Sequence, residues 1–502
     1  MRVEMFNVRS KVTMATDVER SWLSEYLTYS DDRARYAMKS GDGKVRLLNQ
    51  FDLTFPSGFV RGVRAAAHDD GFTVEVDDLR SPPCAPDPEA DLGWLRDYQR
   101  TAVDKAIAAK RGILWMPTGA GKTEVAAALA RSLRCSWLFV VPQADLLYQT
   151  AERFTKRTGE EAGLVGDGVW TEERFTVATF QTLAAAISGR SSVEKQQAAA
   201  DLLGRVQGII VDECHTLPAD SVLAVVSKTR SAYWRFGLSG TPLARGDRKS
   251  LLAIGALGGI IHRIKPEVLI EAGALSRPTI RTVPVVQATT KPTWQGAYGD
   301  LVVKSKQRNQ TVVNMTVEAQ KPAFVFVQHV KHGKILKPML EAAGMRTDFV
   351  WGAHETWLRG KVLERLQAGK LDVVVCSSVF QQAIDVPKLR AVINAAGGAS
   401  VIATLQRIGR GTRVTEDKTT FEVWDVADRG NRWLERHTRE RIGAYEGEGY
   451  AVTSAPEYSA QNEKGLVPDP ESVNAEAEWR KAEKVRKDAL KALTGQTGIR
   501  RR

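Results

Sequence analysis

The sequence predicts an α/β chain carrying two blocks of parallel strands, and three observations predict it. Short β-rich apolar runs alternate with longer helical patterns beyond residue 89. The alternation restarts after residue 320. A glycine-rich turn joins an apolar run to an Ala-rich helical stretch in "RGILWMPTGAGKTEVAAALARSL" (111–133). Strands alternating with helices imply parallel sheets covered on both faces, because each crossover lays a helix on the sheet.

The elements follow in order. "RSPPCAPDPEADLG" (80–93) is rich in Pro and Asp and reads as a linker, so residues 1–88 form a separate N-terminal domain. Strands are expected at "ILWM" (113–116), "WLFVVP" (137–142), "FTVATF" (175–180), "GIIVDE" (208–213) and "RFGLSG" (235–240). The second block offers "AFVFVQ" (323–328), "DVVVCSS" (372–378) and "RAVINAA" (390–396). The expected divisions are 1–88, 89–283, 284–452 and a polar tail, 453–502, whose stretch 471–493 reads as helical but lacks an apolar stripe.

The run "IIVDECHTLP" (209–218) sets four reactive side chains at the end of a strand. A cysteine nucleophile with its histidine does not fit, since neighbours on an extended strand point to opposite faces. Zinc does not fit either, because Cys84, Cys135 and Cys376 lie far away and form no CxxC pair. The acidic end of a nucleotide-hydrolysing strand does fit, given a phosphate loop upstream. "TGAGKT" (118–123) between a strand and a helix supplies it. Thr118, Gly119 and Gly121 would wrap backbone N–H groups around phosphate oxygens, and the helix N-terminus favours negative charge. Lys122 would reach the β- and γ-phosphates, and the Thr123 hydroxyl would bind Mg²⁺. Asp212 would hold Mg²⁺ and Glu213 would polarise the attacking water, because Mg²⁺ is a hard cation and hydrolysis needs a base. Cys214 reads as a small buried residue. His215 either couples the site to neighbouring motifs or makes a plain hydrogen bond.

The composition narrows the partners. Hydrophobic residues make up 43% of the chain, enough for packed cores, and no apolar run approaches a membrane span. The start lacks the apolar core of a signal peptide, and four scattered cysteines suit a reducing compartment. The net charge is +12, yet residues 1–88 hold 12 Lys/Arg against 14 Asp/Glu. The excess lies beyond them, and residues 480–502 hold 9 Lys/Arg against 2 acids. A basic chain with a basic tail suits a polyanion such as nucleic acid.

One further motif, "LQRIGRGTRV" (405–414), gives the constellation its meaning. Downstream of a phosphate loop and an Asp-Glu strand end, the chain resembles the superfamily-2 helicases and translocases over residues 89–445. That resemblance implies two RecA-like lobes that clamp ATP. "LRDYQ" (95–99) is similar to the adenine-binding motif, with Gln99 reading the base. "MPTGAGKT" (116–123) resembles motif I, whose family form often lacks the first glycine, here Met116. "VVPQADLLYQ" (140–149) and "VATFQTL" (177–183) resemble strand-tracking motifs, which implies that Pro142, Gln143, Thr179 and Gln181 meet nucleic acid. "DECH" is motif II, and "SGTP" (239–242) resembles motif III, so that Ser239, Thr241, His215 and Gln406 couple hydrolysis to movement. Arg410 and Arg413 match the arginine fingers, whose planar forks suit phosphate oxygens. On the second lobe they would make hydrolysis depend on lobe closure.

"AFVFVQHVKHGKIL" (323–336) and "SSVFQQAIDVPKLRAVI" (377–393) narrow the resemblance to phage UvsW-like branch-migration helicases and the XPB-like group. Ala383 stands where that family usually has Gly, and Gln381 and Gln382 replace smaller residues; Asp385 matches a position that contacts ribose or the opposite lobe. His329 and His332 fit polar or nucleic-acid contacts at a helix start better than a metal. Residues 1–88 resemble the family's small α/β accessory domain. They either engage DNA, with Arg61 and Arg64 near the Ser57-Gly58 turn meeting phosphates, or only brace the motor.

The resemblance implies an ATP- and Mg²⁺-dependent helicase acting on branched or forked DNA, including Holliday junctions and R-loops, in replication, recombination or repair. A monomer is expected, in the cytoplasm of a bacterial host if the chain is phage-encoded, with no membrane contact. A duplex-DNA translocase subunit of a restriction or remodelling complex, an RNA helicase, and RNA–DNA hybrid substrates remain open alternatives. A binding protein with a dead ATPase site is disfavoured by the complete set of site residues.

Overall fold

The computed structural model describes residues 1–30, 43–216, 220–240, 250–352, 354, 356–377, 386, 388–398 and 420–454. The chain divides into two compact units, Met1–Ala274 and Leu275–Arg502.

The first unit holds a small and a large sheet. In the small one the strands run Thr54–Pro56, Arg9–Met14, Arg2–Met5, Glu75–Asp78, with the helices Asp17–Tyr26 and Val60–Asp69. Alternation in Arg9–Met14 buries Ser10 and Val12 and exposes Arg9, Lys11 and Thr13, the period-2 pattern of a half-covered sheet. This domain docks on the helix Ser250–Leu257: Leu251 and Ile254 pack against its core. The fit at Ser57-Gly58 is so close that a Cβ on Gly58 would lie 1.9 Å from the Ile254 carbonyl oxygen. The turn that sequence placed near phosphates is therefore a docking contact, while Arg61 and Arg64 lie exposed on the next helix.

The large sheet runs Val169–Trp170, Gly163–Gly166, Phe175–Thr179, Trp137–Val141, Gly208–Asp212, Trp234–Ser239, Arg111–Trp115, Ile260–Arg263. All neighbours are parallel except the first pair. The central strands are buried along almost their whole length, as a sheet covered on both faces requires. Arg111 and Arg235 are buried beneath it. Their guanidinium groups donate to the carbonyls of Ala256, Leu257, Val226 and Thr229, the C-terminal ends of two helices, where cations are favoured. Arg111 also donates to the Asn7 carbonyl, and Arg80 covers the Tyr233 ring, so the small domain is tied to the large sheet at several points.

The second unit is a seven-stranded, wholly parallel sheet: Thr347–Val350, Val373–Cys376, Ala323–Phe326, Ala391–Asn394, Thr420–Arg429, Arg277–Val286, Val452–Ser454. The expected division at 283/284 falls inside Arg277–Val286, which pairs along its full length with Thr420–Arg429. Its apolar alternation belongs to the second sheet, so the boundary lies at 274/275. The division at 452/453 likewise cuts the edge strand Val452–Ser454; the tail beyond 454, with its expected helix, lies outside the described residues.

Two buried arginines organise this unit. Arg308 donates to both Asp428 oxygens (2.7 and 3.1 Å) and to the Ala395 carbonyl (2.7 Å). Arg441 donates to Asp425 (2.9 Å) and to the Gly398 carbonyl (3.0 Å). Burial opposes the Arg441 charge, but Asp425 more than restores it and raises its pKa.

His332, one of the histidines flagged by the sequence, is fully buried. Its Nε2 meets Asn309 Oδ1 at 2.9 Å, so it packs the helix Val330–Ala342 against Lys306–Glu318. His329 precedes that helix, 5.1 Å from the Tyr298 ring. Burial, helped by Arg308 and His329, lowers the His332 pKa from 6.5 to about 3. The neutral ring is thus favoured in the folded state. Its contribution is complete above the unfolded pKa and is lost as pH falls from there toward the folded one. We expect it to cost about 1–2 kcal/mol of stability by about pH 5. His332→Gln can keep the bond to Asn309 and should flatten the urea midpoint against pH over that range. An unchanged slope would refute the assignment.

Candidate nucleotide-hydrolysis site

The site is assembled where three parallel strands of the first unit end side by side. Arg111–Trp115 leads into the glycine turn, Gly208–Asp212 into the acidic pair, and Trp234–Ser239 into the Ser-Gly step. Ser239 pairs in register with Trp115, and Met116 N donates to the Ser239 carbonyl at 2.9 Å. Trp115 Nε1 donates to the Gly240 carbonyl at 2.7 Å, with Arg263 stacked 3.9 Å from its ring. The turn and the Ser-Gly step are thereby fixed to each other.

The loop has the backbone that its glycines allow. Gly119 (φ +88°) and Gly121 (φ +78°) are left-handed, and Gly121 caps the helix Lys122–Ser132. Met116, where the longer motif has glycine, is buried in the core below the turn. A second constraint falls on Gly121: a Cβ there would sit 2.2 Å from Gln99 Nε2. Gln99 is buried, donates to the Ala120 carbonyl at 3.0 Å and accepts from Arg96 N at 3.0 Å. Its amide thereby braces the loop. Glu124, in the first turn of the same helix, is gripped by Arg157 (2.6 Å), which holds that helix to Ala144–Thr158. Nothing in the sequence singled out Glu124 or Arg157, because an acid and a base 33 residues apart carry no pattern.

The acidic end departs from plain strand alternation. Glu213 takes a left-handed conformation (φ +48°), uncommon for a residue with a side chain. The chain leaves the strand there and enters the short turn Cys214–Thr216, while Asp212 Oδ1 accepts from Glu213 N at 2.9 Å. The Glu213 carboxylate receives Lys122 Nζ at 2.9 Å on one oxygen. On the other it meets His215 Nδ1 at 3.3 Å and Ser239 Oγ at 3.5 Å. His215 Nδ1 also meets Ser239 Oγ at 3.0 Å. Lys122, Glu213, His215 and Ser239 therefore form one connected chain, and His215 lies between the acidic pair and the Ser-Gly step.

The charges divide the two carboxylates. Burial pushes both upward. For Glu213, Lys122 and His215 outweigh burial and hold the carboxyl well below its ordinary range. For Asp212 burial prevails, and its pKa rises to about 6. At Asp212 the attraction of Lys122 and His215 does not offset burial, so the carboxylate is short of positive charge. That shortage fits a divalent cation, with the Thr123 hydroxyl on the adjoining first helical turn. Among the described residues no group of three or more His, Cys, Asp or Glu is arranged to hold a metal. Cys214 is fully buried, and burial pushes its thiol upward, which removes the nucleophile reading.

The proposed strand-tracking residues also lie on this unit. Gln181 Nε2 donates to the Pro142 carbonyl at 2.7 Å, joining the two motifs. Thr179 is buried and accepts from Thr182 N, capping the helix Phe180–Ile187. Gln143 precedes the helix Ala144–Thr158. Thr118 lies half-buried in the glycine turn. Thr241, Asp385, Gln406, Arg410 and Arg413 lie outside the described residues.

Comparison with known proteins agrees with this geometry. Residues 93–244 match the family model "Type III restriction enzyme, res subunit", and residues 307–415 match "Helicase conserved C-terminal domain". The chain is 27% identical to the ATP-dependent DNA helicase uvsW of Enterobacteria phage T4, over 78% of this chain and 83% of the relative. It is 26% identical to the DNA 3'-5' translocase XPB2 of Sulfurisphaera tokodaii, over 63% of this chain and 78% of the relative. Its fold is similar to the ATP-dependent Type ISP restriction-modification enzyme LlaBIII bound to DNA, with a TM-score of 0.55 and 16% identity, covering 84% of this chain and 35% of that one. Among the described residues no helix is long and apolar enough to cross a membrane. With a phosphate loop and an acidic strand end on one parallel sheet, and a second parallel sheet in the helicase C-terminal region, the chain belongs to the superfamily-2 helicases and is an ATP-dependent nucleic-acid helicase.

Proposed function

We propose that the chain remodels branched DNA, such as forks, Holliday junctions and R-loops, by ATP-driven translocation in the 3'→5' direction. The observation that carries the motor chemistry is the chain from Lys122 through Glu213 to His215 and Ser239. Similarity to the phage T4 helicase, together with a small N-terminal domain docked on the motor, supports the branched substrate. The printed 3'-5' polarity of the archaeal relative supports the direction. A role in phage recombination or repair, in the cytoplasm of a bacterial host, follows from the same resemblance.

ATP is the substrate. Thr123 and Asp212 would hold Mg²⁺, which would offset phosphate charge when bound. Lys122 leaves Glu213 for the β- and γ-phosphates, since phosphate is the denser negative charge. Glu213, kept ionised by its surroundings, then orients and deprotonates the attacking water, with His215 and Ser239 fixing its other oxygen. The same two residues pass its change of partner to the Ser-Gly step. Arg410 and Arg413 neutralise the transferring phosphoryl group. Thr118, Gly119 and Gly121 cradle the phosphates.

The N-terminal domain gives the substrate test. Deleting residues 1–88 would strip the cover from Leu251 and Ile254, so charge reversal on the exposed helix is cleaner. Arg61→Glu with Arg64→Glu should cut junction and fork conversion several-fold while hydrolysis stimulated by single strands stays within about twofold. Equal junction conversion by the variant and the parent would leave the domain as a brace.

A further inference from the structure

A cluster of aromatic rings lies at the edge of the second unit. It begins at Gly333 in the helix Val330–Ala342, where a Cβ would lie 2.3 Å from the Phe349 ring. The missing side chain lets Phe349 lie directly on the helix. Trp351 lies against Phe349 at 4.7 Å between centroids, tilted by 34°, and His354 against Trp351 at 3.8 Å, tilted by 44°. Phe349 is on the edge strand Thr347–Val350, and the other two residues leave its C-terminal end. Trp357 follows in the first turn of the helix Thr356–Gln367 and is 58% exposed. Lysines accompany the tryptophans: Lys334 Nζ is 5.8 Å from the Trp351 ring centre, and Lys361 Nζ is 4.9 Å from that of Trp357.

Exposing a tryptophan forgoes the burial that its large ring would otherwise contribute. A surface ring with a lysine at its face has the two parts of a single-strand contact: a flat face for a base and a cation for the flanking phosphate. A protein partner would use the apolar area as well, but it would not call for lysine on both tryptophans. We propose that Trp357 is a base-stacking contact for single-stranded DNA on the second unit, with Lys361 and Lys334 engaging the phosphates. Stacking accepts any base, as a motor that moves along arbitrary sequence requires.

The test measures binding of a labelled single strand, and of the same strand with several abasic sites, to the full chain. Trp357→Ala should weaken binding to the intact strand about fivefold to a hundredfold, the range of one base–aromatic contact. It should change binding to the abasic strand by less than about twofold, and Trp357→Phe should recover most of the loss. The salt dependence of Trp357→Ala should match the parent, whereas Lys361→Ala should flatten it because one phosphate contact is lost. Hydrolysis without DNA should be unchanged in both variants, which guards against misfolding. If Trp357→Ala binds the intact strand as the parent does, or loses equal affinity for both strands, the stacking role is wrong.

Discussion

Glu213→Gln should bind ATP as tightly as the parent and hydrolyse it about a hundredfold to ten-thousandfold more slowly, the range expected when a general base is lost. The amide keeps the shape of the side chain and can still accept from His215 and Ser239. It cannot take a proton, and it no longer attracts Lys122 as a carboxylate does. The Lys122–Glu213 ion pair then no longer has to break before Lys122 meets phosphate, so affinity should hold or rise slightly while kcat collapses. Lys122→Ala should fail differently, with weak binding and no turnover, because the phosphate clamp itself is gone. The measurement is single-turnover hydrolysis beside equilibrium binding of a fluorescent ATP analogue. Turnover near the parent rate in Glu213→Gln would remove Glu213 from the chemistry and leave its left-handed backbone without a function.

Arg308→Met should destabilise the second unit by about 3–5 kcal/mol, as is typical when one partner of a buried ion pair is removed. Methionine fills much of the space, but it leaves Asp428 buried without its paired guanidinium and the Ala395 carbonyl without its donor. The urea midpoint of the transition assigned to this unit should fall accordingly. Adding Asp428→Asn removes the stranded charge and should recover part of the loss, a coupling that independent sites would not show. Arg308 and Arg441 together fix residues 395–398, just before the segment that carries Gln406, Arg410 and Arg413. Arg308→Met should therefore also lower DNA-stimulated hydrolysis at temperatures where the unit remains folded. An unchanged midpoint would mean that Asp428 finds another partner.

The strands of both sheets were legible where they carry continuous apolar runs. Trp137–Val141, Phe175–Thr179 and Val373–Cys376 each fall within one or two residues of expectation, because covered strands need apolar residues on both faces. Arg277–Val286 was cut near its C-terminal end because its two prolines and two arginines interrupt the apolar pattern of a strand, and its pairing with Thr420–Arg429 is not visible in sequence. In the site, Lys122, Asp212, Glu213 and His215 were picked out from strand, glycine turn and acid, Ser239 from the family resemblance, and the structure brings them together. Gln99 was singled out for a ligand contact, and sequence cannot show that its amide also bonds to Ala120 and Arg96. The link from Gln181 to Pro142 was invisible for the same reason: it depends on a backbone carbonyl 39 residues away.

The most direct test of the central claim is conversion of a four-way DNA junction by the full chain, followed with ATP and Mg²⁺, with a non-hydrolysable analogue, and with Glu213→Gln. The expected result is conversion that requires hydrolysable ATP and is lost in the variant while junction binding persists. Conversion at the parent rate with the analogue or with Glu213→Gln would contradict a motor driven from this site, and so would an absence of conversion by the parent in the presence of ATP.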